Sequence, residues 1–589
     1  MYAFLNYSLT KFSIQVIMLQ IGSSIVGFSP FVKGAAMLGY GMYFHTMQEQ
    51  ATLFMRAFVL DNGSTKVGFV NAELGFITLS IQQGVVKKLQ TEYPQFGYSE
   101  NNLILTAQHT HSAPGGYSYY PLYNFPTPGF SEYVYTTIVN AMVEAIAKAE
   151  ENKQAGKVKL GSGAFGLDKE VSFQRSRVAY NLNPDIPKKI EANELHLGVN
   201  REMTMLSFET ESGTPIGSVN WFAVHTTSLS NDLRRMNADN KGYAAKFLEK
   251  YFKEKGVENY VGAFAQGNCG DVSPRFRKKK NILKWQRGHW YGKFDDDYKS
   301  AEYNGKLQCE KAVEIAEQQN TTLTETIDAE MLWVDFTAIH CKPEFANGKT
   351  DAFTSPACLG VSFFAGALMD GPGMPSAIVP LAKWHTNRIK QKDIEQTGNE
   401  PATVLKYKTQ EPKNIFFETN EGKMMGDKDL TKMIIPGFVD GSIAAMKRFY
   451  KNIGSKIDKV CYTPKVLPIQ ITIIGEVAIA ALPFEITTVS GNRLRNSLET
   501  KLKQRGINRV ILAPYANGFS AYITTNEEYQ AQMYEGGHTV FGQWSLAALQ
   551  TKFDELANEM LKPKIERNLQ QATPPKVTLE EMNAFPYKR

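Results

Sequence analysis

LILTAQHTHSAPGG, residues 103–116, holds a change of character that sets how the chain is read. Leu103 to Ala107 is a short continuous apolar run, the signature of a strand buried on both faces. A polar, glycine-ended turn bearing two histidines comes directly after it. The same change recurs three times. Ile216 to Val224 runs into HTTSLSND, Val477 to Leu482 into PFEITT, and Val510 to Ala513 into PYANG.

Helical periodicity separates these runs, over Tyr133 to Ala149, Tyr243 to Phe252 and Trp544 to Leu561. In the last, Leu546, Leu549, Phe553, Leu556 and Met560 form one apolar stripe. Strands alternating with helices predict an α/β fold: a layered, mixed β-sheet core flanked by helices. In open sheets of this kind ligands bind beyond the carboxyl ends of the strands, so the polar clusters mark the expected active site.

The 589 residues carry 43% apolar and 21% charged side chains, an ordinary globular composition. The formal charge of +6 is too slight for this length to indicate nucleic acid, and equally slight as a call to an anionic membrane. Five scattered cysteines without CxxC spacing suggest neither a disulfide framework nor a cysteine zinc site. No apolar stretch is long enough to span a bilayer. Phe12 to Phe28 is apolar-rich but interrupted by Gln15, Gln20, Ser23 and Ser24, with Lys11 as its only basic flank and no small-residue cleavage site. It makes no convincing signal peptide, and residues 1–18 read as an N-terminal extension. Beyond Leu561 the chain turns polar and proline-containing, as a tail or packed arm does.

Nine histidines are few, so their placement informs. His109 and His111 flank one residue, and in extended backbone such positions share a side. They can meet one metal, or one can bind while the other moves a proton; the alternative is a hydrogen-bonded structural pair. His225 sits beyond a second strand, where a satisfied core histidine is the competing reading. Glu485 follows ALPF, and a carboxylate there needs a partner or a metal unless it opens a helix. Ser273, in QGNCGDVSPR, is a nucleophile or a turn residue; no G-x-S-x-G elbow surrounds it. Tyr515, Tyr522, Tyr529 and Tyr534 cluster where phenols can pack, ligate or donate to an oxyanion. RFRKKK, residues 275–280, reads as a solvated loop or a site for lipid phosphates.

Ten stretches in order resemble the neutral/alkaline ceramidase family. They are MLGYG near Met37, HTHSAPGGY from His109, QRSRVAYNLNP from Gln174, REMTMLSFE from Arg201, NWFAVHTTSLSN from Asn220, DNKGYAA from Asp239, FAQGNCGDVSP from Phe264, LGVSFFAGALMDGPG from Leu359, ALPFEITTVSGNRLR from Ala481 and YITTNEEYQAQMYEGG from Tyr522. The resemblance covers residues 19–562 and implies a catalytic domain there, with a tail over 563–589 in place of the family's β-sandwich domain. It implies one Zn2+ ion held by His109, His225, Glu485 and Tyr522, a set of N and O ligands that leaves room for water. It implies His111 as the proton-transfer residue, Arg175 as a contact to the substrate carbonyl, Tyr534 near the scissile amide, and Ser273 as a substrate contact. The expected reaction is cleavage of the N-acyl amide of ceramide or a related lipid to a fatty acid and a sphingoid base. Expected partners are that lipid and a peripheral membrane surface, with no nucleic acid; family members are often secreted or act at membranes.

The chain departs from the family pattern at SIVGFSP near Ser24, at Glu73 where the family has aspartate, at Arg275 where it has asparagine, and around ATLFMRAF, which keeps Arg56. Two alternatives stand beside the zinc amidase: a serine hydrolase using Ser273, and a non-catalytic lipid-binding homologue.

Overall fold

A computed structural model describes residues 18–40, 45–124, 129–278, 290–367, 369–371, 373–374, 376–398, 400–425 and 461–583. Two sheets form its core. The larger is built on strands β1 (Gln20–Phe28), β2 (Leu53–Asp61), β3 (Lys66–Ala72), β4 (Leu103–Ala107), β5 (Gln154–Ala164), β6 (Glu202–Thr210), β7 (Pro215–Phe222) and β8 (Val261–Gln266). Their order is β4-β3-β2-β1-β5-β6-β7-β8, with the short strand Thr321–Thr322 beside β5. The smaller sheet orders β9 (Ile327–Asp335), β10 (Val466–Ile474), β11 (Val477–Ala481) and β13 (Arg509–Ala513). Between β11 and β13 lies β12 (Glu485–Ile486), which pairs with β14 (Tyr522–Ile523).

Most neighbours run antiparallel, but β3–β4, β7–β8 and β11–β13 are parallel. A parallel pair needs a crossover, and a helix supplies each: α1 (Leu79–Glu92), α4 (Asp239–Glu254) and α9 (Thr488–Leu502). One unit, ββαβ, is thus used three times without any repeat in sequence. Helices α2 (Glu132–Glu151), α5 (Asp297–Ala316) and α12 (Ser545–Met560) join the crossovers on the outer faces.

Side-chain alternation makes four layers. On β2, Met55, Ala57 and Val59 face the cluster containing α1 and α2, while Phe58 and Leu60 face the second sheet. On β11, Ala478 and Ala480 pack among residues of α9 and α12, while Ile479 and Ala481 face the first sheet. Strands buried on both sides have no polar face, which is why they read as unbroken apolar runs. The stripe on α12 is buried as its periodicity predicts, and truncating Leu549 to alanine there is expected to cost about 2–5 kcal/mol.

The segment after Leu561 packs as an arm along β9. Arg567 pairs with Asp328 and Glu330, and Gln571 bonds the backbone of Met331 and Trp333. The apolar run near the start becomes, from Gln20, the strand β1; residues 12–17 lie outside the described residues. Four of the cysteines are buried, Cys461 is half-buried, and all five are free thiols.

Candidate metal centre

Each crossover unit ends strands at the same edge, and the turns there carry the site. His109 and His111 follow β4, His225 follows β7, Glu485 opens β12 just beyond β11, and Tyr522 opens β14 beyond β13. These five side chains, drawn from four separate stretches of the chain, meet in one buried place.

The imidazoles are locked from behind. His109 Nδ1 donates to Gly75 O at 2.6 Å, and its ring stacks on Tyr515 at 4.2 Å. His225 Nδ1 lies 2.7 Å from Cys269 O and 3.0 Å from Val272 O. With Nδ1 protonated, each Nε2 presents a lone pair. Both lone pairs converge on Glu485 Oε2, at 3.4 Å from His109 Nε2 and 3.3 Å from His225 Nε2. His111 Nε2 stands 3.1 Å from His109 Nε2, and the three imidazoles offer ligand atoms all within 4.8 Å of one another.

The closeness of His109 and His111 does not arise from extended backbone. His109 has φ of +71°, in the left-handed region. That turn, rather than strand alternation, brings the rings together. Tyr515, Asn517 and Ala521 are left-handed too, which places backbone strain of about 1–3 kcal/mol per residue around the site. The His111 ring is held by Gly39, where a Cβ would come within 2.5 Å of it, and by Tyr40, edge-on at 4.8 Å.

Electrostatically this cluster is unfinished. Burial alone would raise the Glu485 carboxyl, but His109 and His225 hold it well below the usual range. Burial and the neighbouring imidazoles His109 and His225 push His111 well below an ordinary histidine. His225 is also lowered, by burial first and then by the charge of Arg175. Without a proton on either Nε2, the lone pairs and the carboxylate oxygen repel one another, and a cation at their focus takes the place of that proton. The donor set therefore fits a divalent ion. Glu485 and Tyr522 lie side by side in β12–β14, with the Tyr522 phenol reaching the Glu485 carboxylate.

A second polar cluster adjoins the first through Tyr522. Arg175 Nε donates to Glu535 at 2.8 Å, Nη1 to Asp370 at 2.7 Å, and Nη2 to Gly270 O at 2.7 Å and Tyr522 Oη at 3.0 Å. Asp370 also accepts from Ser273 and Thr227, each at 2.7 Å. Burial opposes the Asp370 charge, and Arg175 with His225 pulls its pKa below the usual value. Ser273 is buried with its hydroxyl spent on Asp370 and the Arg275 amide; no imidazole takes part in these bonds. Tyr534 is half-buried, stacked on Phe363 at 5.6 Å, with the Arg175 guanidinium 5.5 Å from its ring centre.

Asp370, Glu535 and His538 are site residues that local sequence reading passes over, while Tyr515 of the tyrosine cluster proves to stack on His109. The His538 ring lies 4.9 Å from Tyr522, and burial lowers its pKa to about 3, leaving it neutral. Asp370 and Glu535 stand within the LGVSFFAGALMDGPG and YITTNEEYQAQMYEGG stretches that carry the family resemblance, which was the available signal. Three of the four departures have partners in the structure. Glu73 pairs with Arg56 at 2.8 Å, and Arg56 in turn binds Glu249. Arg275 is buried rather than solvated, donating to Thr227 O at 2.6 Å; Lys279 and Lys280 of the same run lie outside the described residues.

Fold and site define a four-layer αββα protein with a histidine–carboxylate centre at the carboxyl edge of its sheets. The chain belongs to the neutral/alkaline non-lysosomal ceramidase family, whose N-terminal model matches residues 20–437 and 439–551. The neutral ceramidase of Pseudomonas aeruginosa is 32% identical over 529 residues, 89% of this chain and 70% of that protein. Neutral ceramidase B of Dictyostelium discoideum is 30% identical over 568 residues, 92% of this chain and 72% of that protein. The crystal structure of the Pseudomonas aeruginosa enzyme superposes with a TM-score of 0.71 at 28% identity, covering 95% of this chain and 77% of that one. A ceramidase complexed with C2 superposes at 0.72 with 29% identity and the same coverage.

Proposed function

We propose that this chain is a zinc-dependent amidohydrolase that cleaves the N-acyl amide of ceramide or a close lipid relative. His109, His225, Glu485 and Tyr522 would hold the ion. The observation that carries this reading is the convergence of the His109 and His225 Nε2 lone pairs on Glu485, with both Nδ1 atoms already committed to backbone carbonyls. Family membership supplies the substrate class.

Zinc, when bound, polarises the amide carbonyl and makes water acidic enough to attack near neutral pH. His111 is the neutral buried base beside it. It takes a proton from the attacking water as the C–O bond forms, and returns it to nitrogen as the C–N bond breaks. The products are a carboxylic acid and an amine, so the atoms balance with one water consumed. Tyr534, at the half-buried edge, would donate its O–H to the oxyanion. Arg175 has committed four of its five N–H groups inside the protein. Its main task is to hold Tyr522, with one N–H left for the carbonyl contact that the resemblance implies.

The test is turnover of a fluorescent N-acylsphingosine by purified protein, before and after chelation and again after zinc is restored. Loss on chelation with recovery on zinc supports the reading. Turnover insensitive to chelators, combined with labelling by a fluorophosphonate, would transfer the chemistry to Ser273.

A further inference from the structure

One buried imidazole at the site has no task in the chemistry above. His538 closes the short helix α11 (Tyr534–His538), and residues at such i, i+4 spacing share a helix face, so it stands on the same side as Tyr534. Its ring centre lies 4.2 Å from that of Phe363, 4.9 Å from Tyr522 and 5.8 Å from Tyr534. It therefore adjoins both the ligand Tyr522 and the phenol assigned to the oxyanion. It is not itself part of the metal-holding group, whose clustered imidazoles are His109, His111 and His225.

The fold fixes this turn from every side. A Cβ on Gly537 would come within 2.6 Å of the Phe363 amide nitrogen, so α11 presses backbone to backbone on helix α6 (Val361–Phe364). Lys413 Nζ donates to Thr539 O at 2.7 Å, and the Thr539 hydroxyl donates to Glu535 O at 2.9 Å. The Glu535 carboxylate accepts from Arg175 and Ser176. These neighbours are spent, whereas His538 Nδ1 is buried with no hydrogen-bond partner among the described residues. A nitrogen sealed from water without a partner carries the cost of its lost hydration until a polar group binds it. His538 keeps 8% of its surface open and Tyr534 is half-buried, so the face they share can be reached from outside.

We propose that His538 is a specificity-determining residue that hydrogen-bonds a hydroxyl carried by the substrate next to its scissile amide. A neutral imidazole offers one N–H and one lone pair, and a hydroxyl both donates and accepts, so the two match in either tautomer. A carboxylate or an ammonium would meet an uncharged ring that does nothing to offset its desolvation. The inference rests on the reading of this chain as an N-acyl amide hydrolase, since it takes the hydroxyl to belong to the bound amide. Such a hydroxyl comes either from the amine chain or from C2 of the acyl chain, and both present the same chemistry to the ring.

The test uses the full chain and matched short-acyl amides: N-acylsphinganine, its 1-deoxy and 3-deoxy analogues, and its 2-hydroxyacyl form. Values of kcat and KM, and competitive binding of the same amides, are measured for the parent, His538→Phe and His538→Asn. The parent is expected to prefer one hydroxylated amide over its matched partner by at least about tenfold in kcat/KM. His538→Phe should bring that ratio to about one through loss on the hydroxylated member alone, with metal content unchanged. His538→Asn, whose side-chain amide can stand where Nδ1 does, should keep part of the preference. The pair that responds names the source, amine chain or acyl chain. A ratio unaltered in both variants overturns the proposal. So does an equal loss on every amide, the result of a merely structural role or of a contact to the amide itself. A parent that cleaves none of these amides, yet binds the hydroxylated member more tightly through His538, leaves the contact standing and removes the assigned reaction. A parent that neither cleaves nor binds the members of any pair differently overturns the contact.

Discussion

The two polar clusters that share Tyr522 are equally buried and solve their burial in opposite ways. Around Arg175, every charge has its partner within the protein: guanidinium against Asp370 and Glu535, with hydroxyls of Ser273, Thr227 and Ser176 completing the carboxylates. Around His109 and His225, the protein fixes one nitrogen of each ring and leaves the other facing a carboxylate. A nearly closed network is a scaffold, because a single Arg175 N–H remains for a ligand. An open one is a site, because a buried polar atom left without a partner costs about 1–3 kcal/mol until something binds it.

That contrast can be broken most directly at the open cluster. His109→Ala should remove both the metal, read by elemental analysis, and turnover, by about three orders of magnitude or more. His111→Ala should keep most of the metal and lose turnover by about 10²–10⁴-fold. Equal loss of metal in the two variants contradicts the separate roles given to them.

At the closed cluster the expected damage is to stability. Asp370→Asn leaves Arg175 short of a buried counter-charge and should cost about 3 kcal/mol in urea unfolding, with metal content unchanged. Ser273→Ala removes one hydrogen bond to Asp370 and should cost about 1 kcal/mol, with turnover within about tenfold of the parent. Abolished turnover with an unchanged midpoint would make Ser273 a nucleophile and reverse the comparison.

The smallest effect concerns pH. Burial holds the Glu528 carboxyl well above its ordinary range, and the nearby charge of Asp271 adds to this. The folded state then keeps a proton that the unfolded chain gives up at about pH 4.3. Stability from this group is present below that pH and is lost as pH rises through the raised folded value. Glu528→Gln should flatten this decline; a thermal-midpoint profile as steep as the parent's assigns it elsewhere.

Much of this architecture was legible. Leu103–Ala107 is a strand with the bounds its composition gives, and the pattern over Tyr133–Ala149 falls inside α2. Such segments are buried all round or along one clean stripe, so local composition reports their surroundings. β5 and β9 were not singled out. Their runs mix Lys159 and Ser162, or Asp328 and Glu330, with apolar residues, because one edge of each meets a charged partner or solvent. The imidazoles stood out because histidine is rare here and each follows an apolar run. Asp370 and Glu535 did not, since their partner Arg175 lies 195 and 360 residues away and an acid in a polar turn looks like any surface acid.

Sequence alone determined the strands that read as unbroken apolar runs, the helices with a clean apolar stripe, and that chemistry-bearing side chains gather beyond strand ends, because these follow from local periodicity and the cost of burying polar groups. Only the tertiary structure decided that three ββαβ units share one edge, that a left-handed His109 rather than an extended backbone aims two rings at each other, and that Arg175 is tied down while the histidines are not. Those outcomes depend on contacts between residues hundreds of positions apart, which no local pattern encodes.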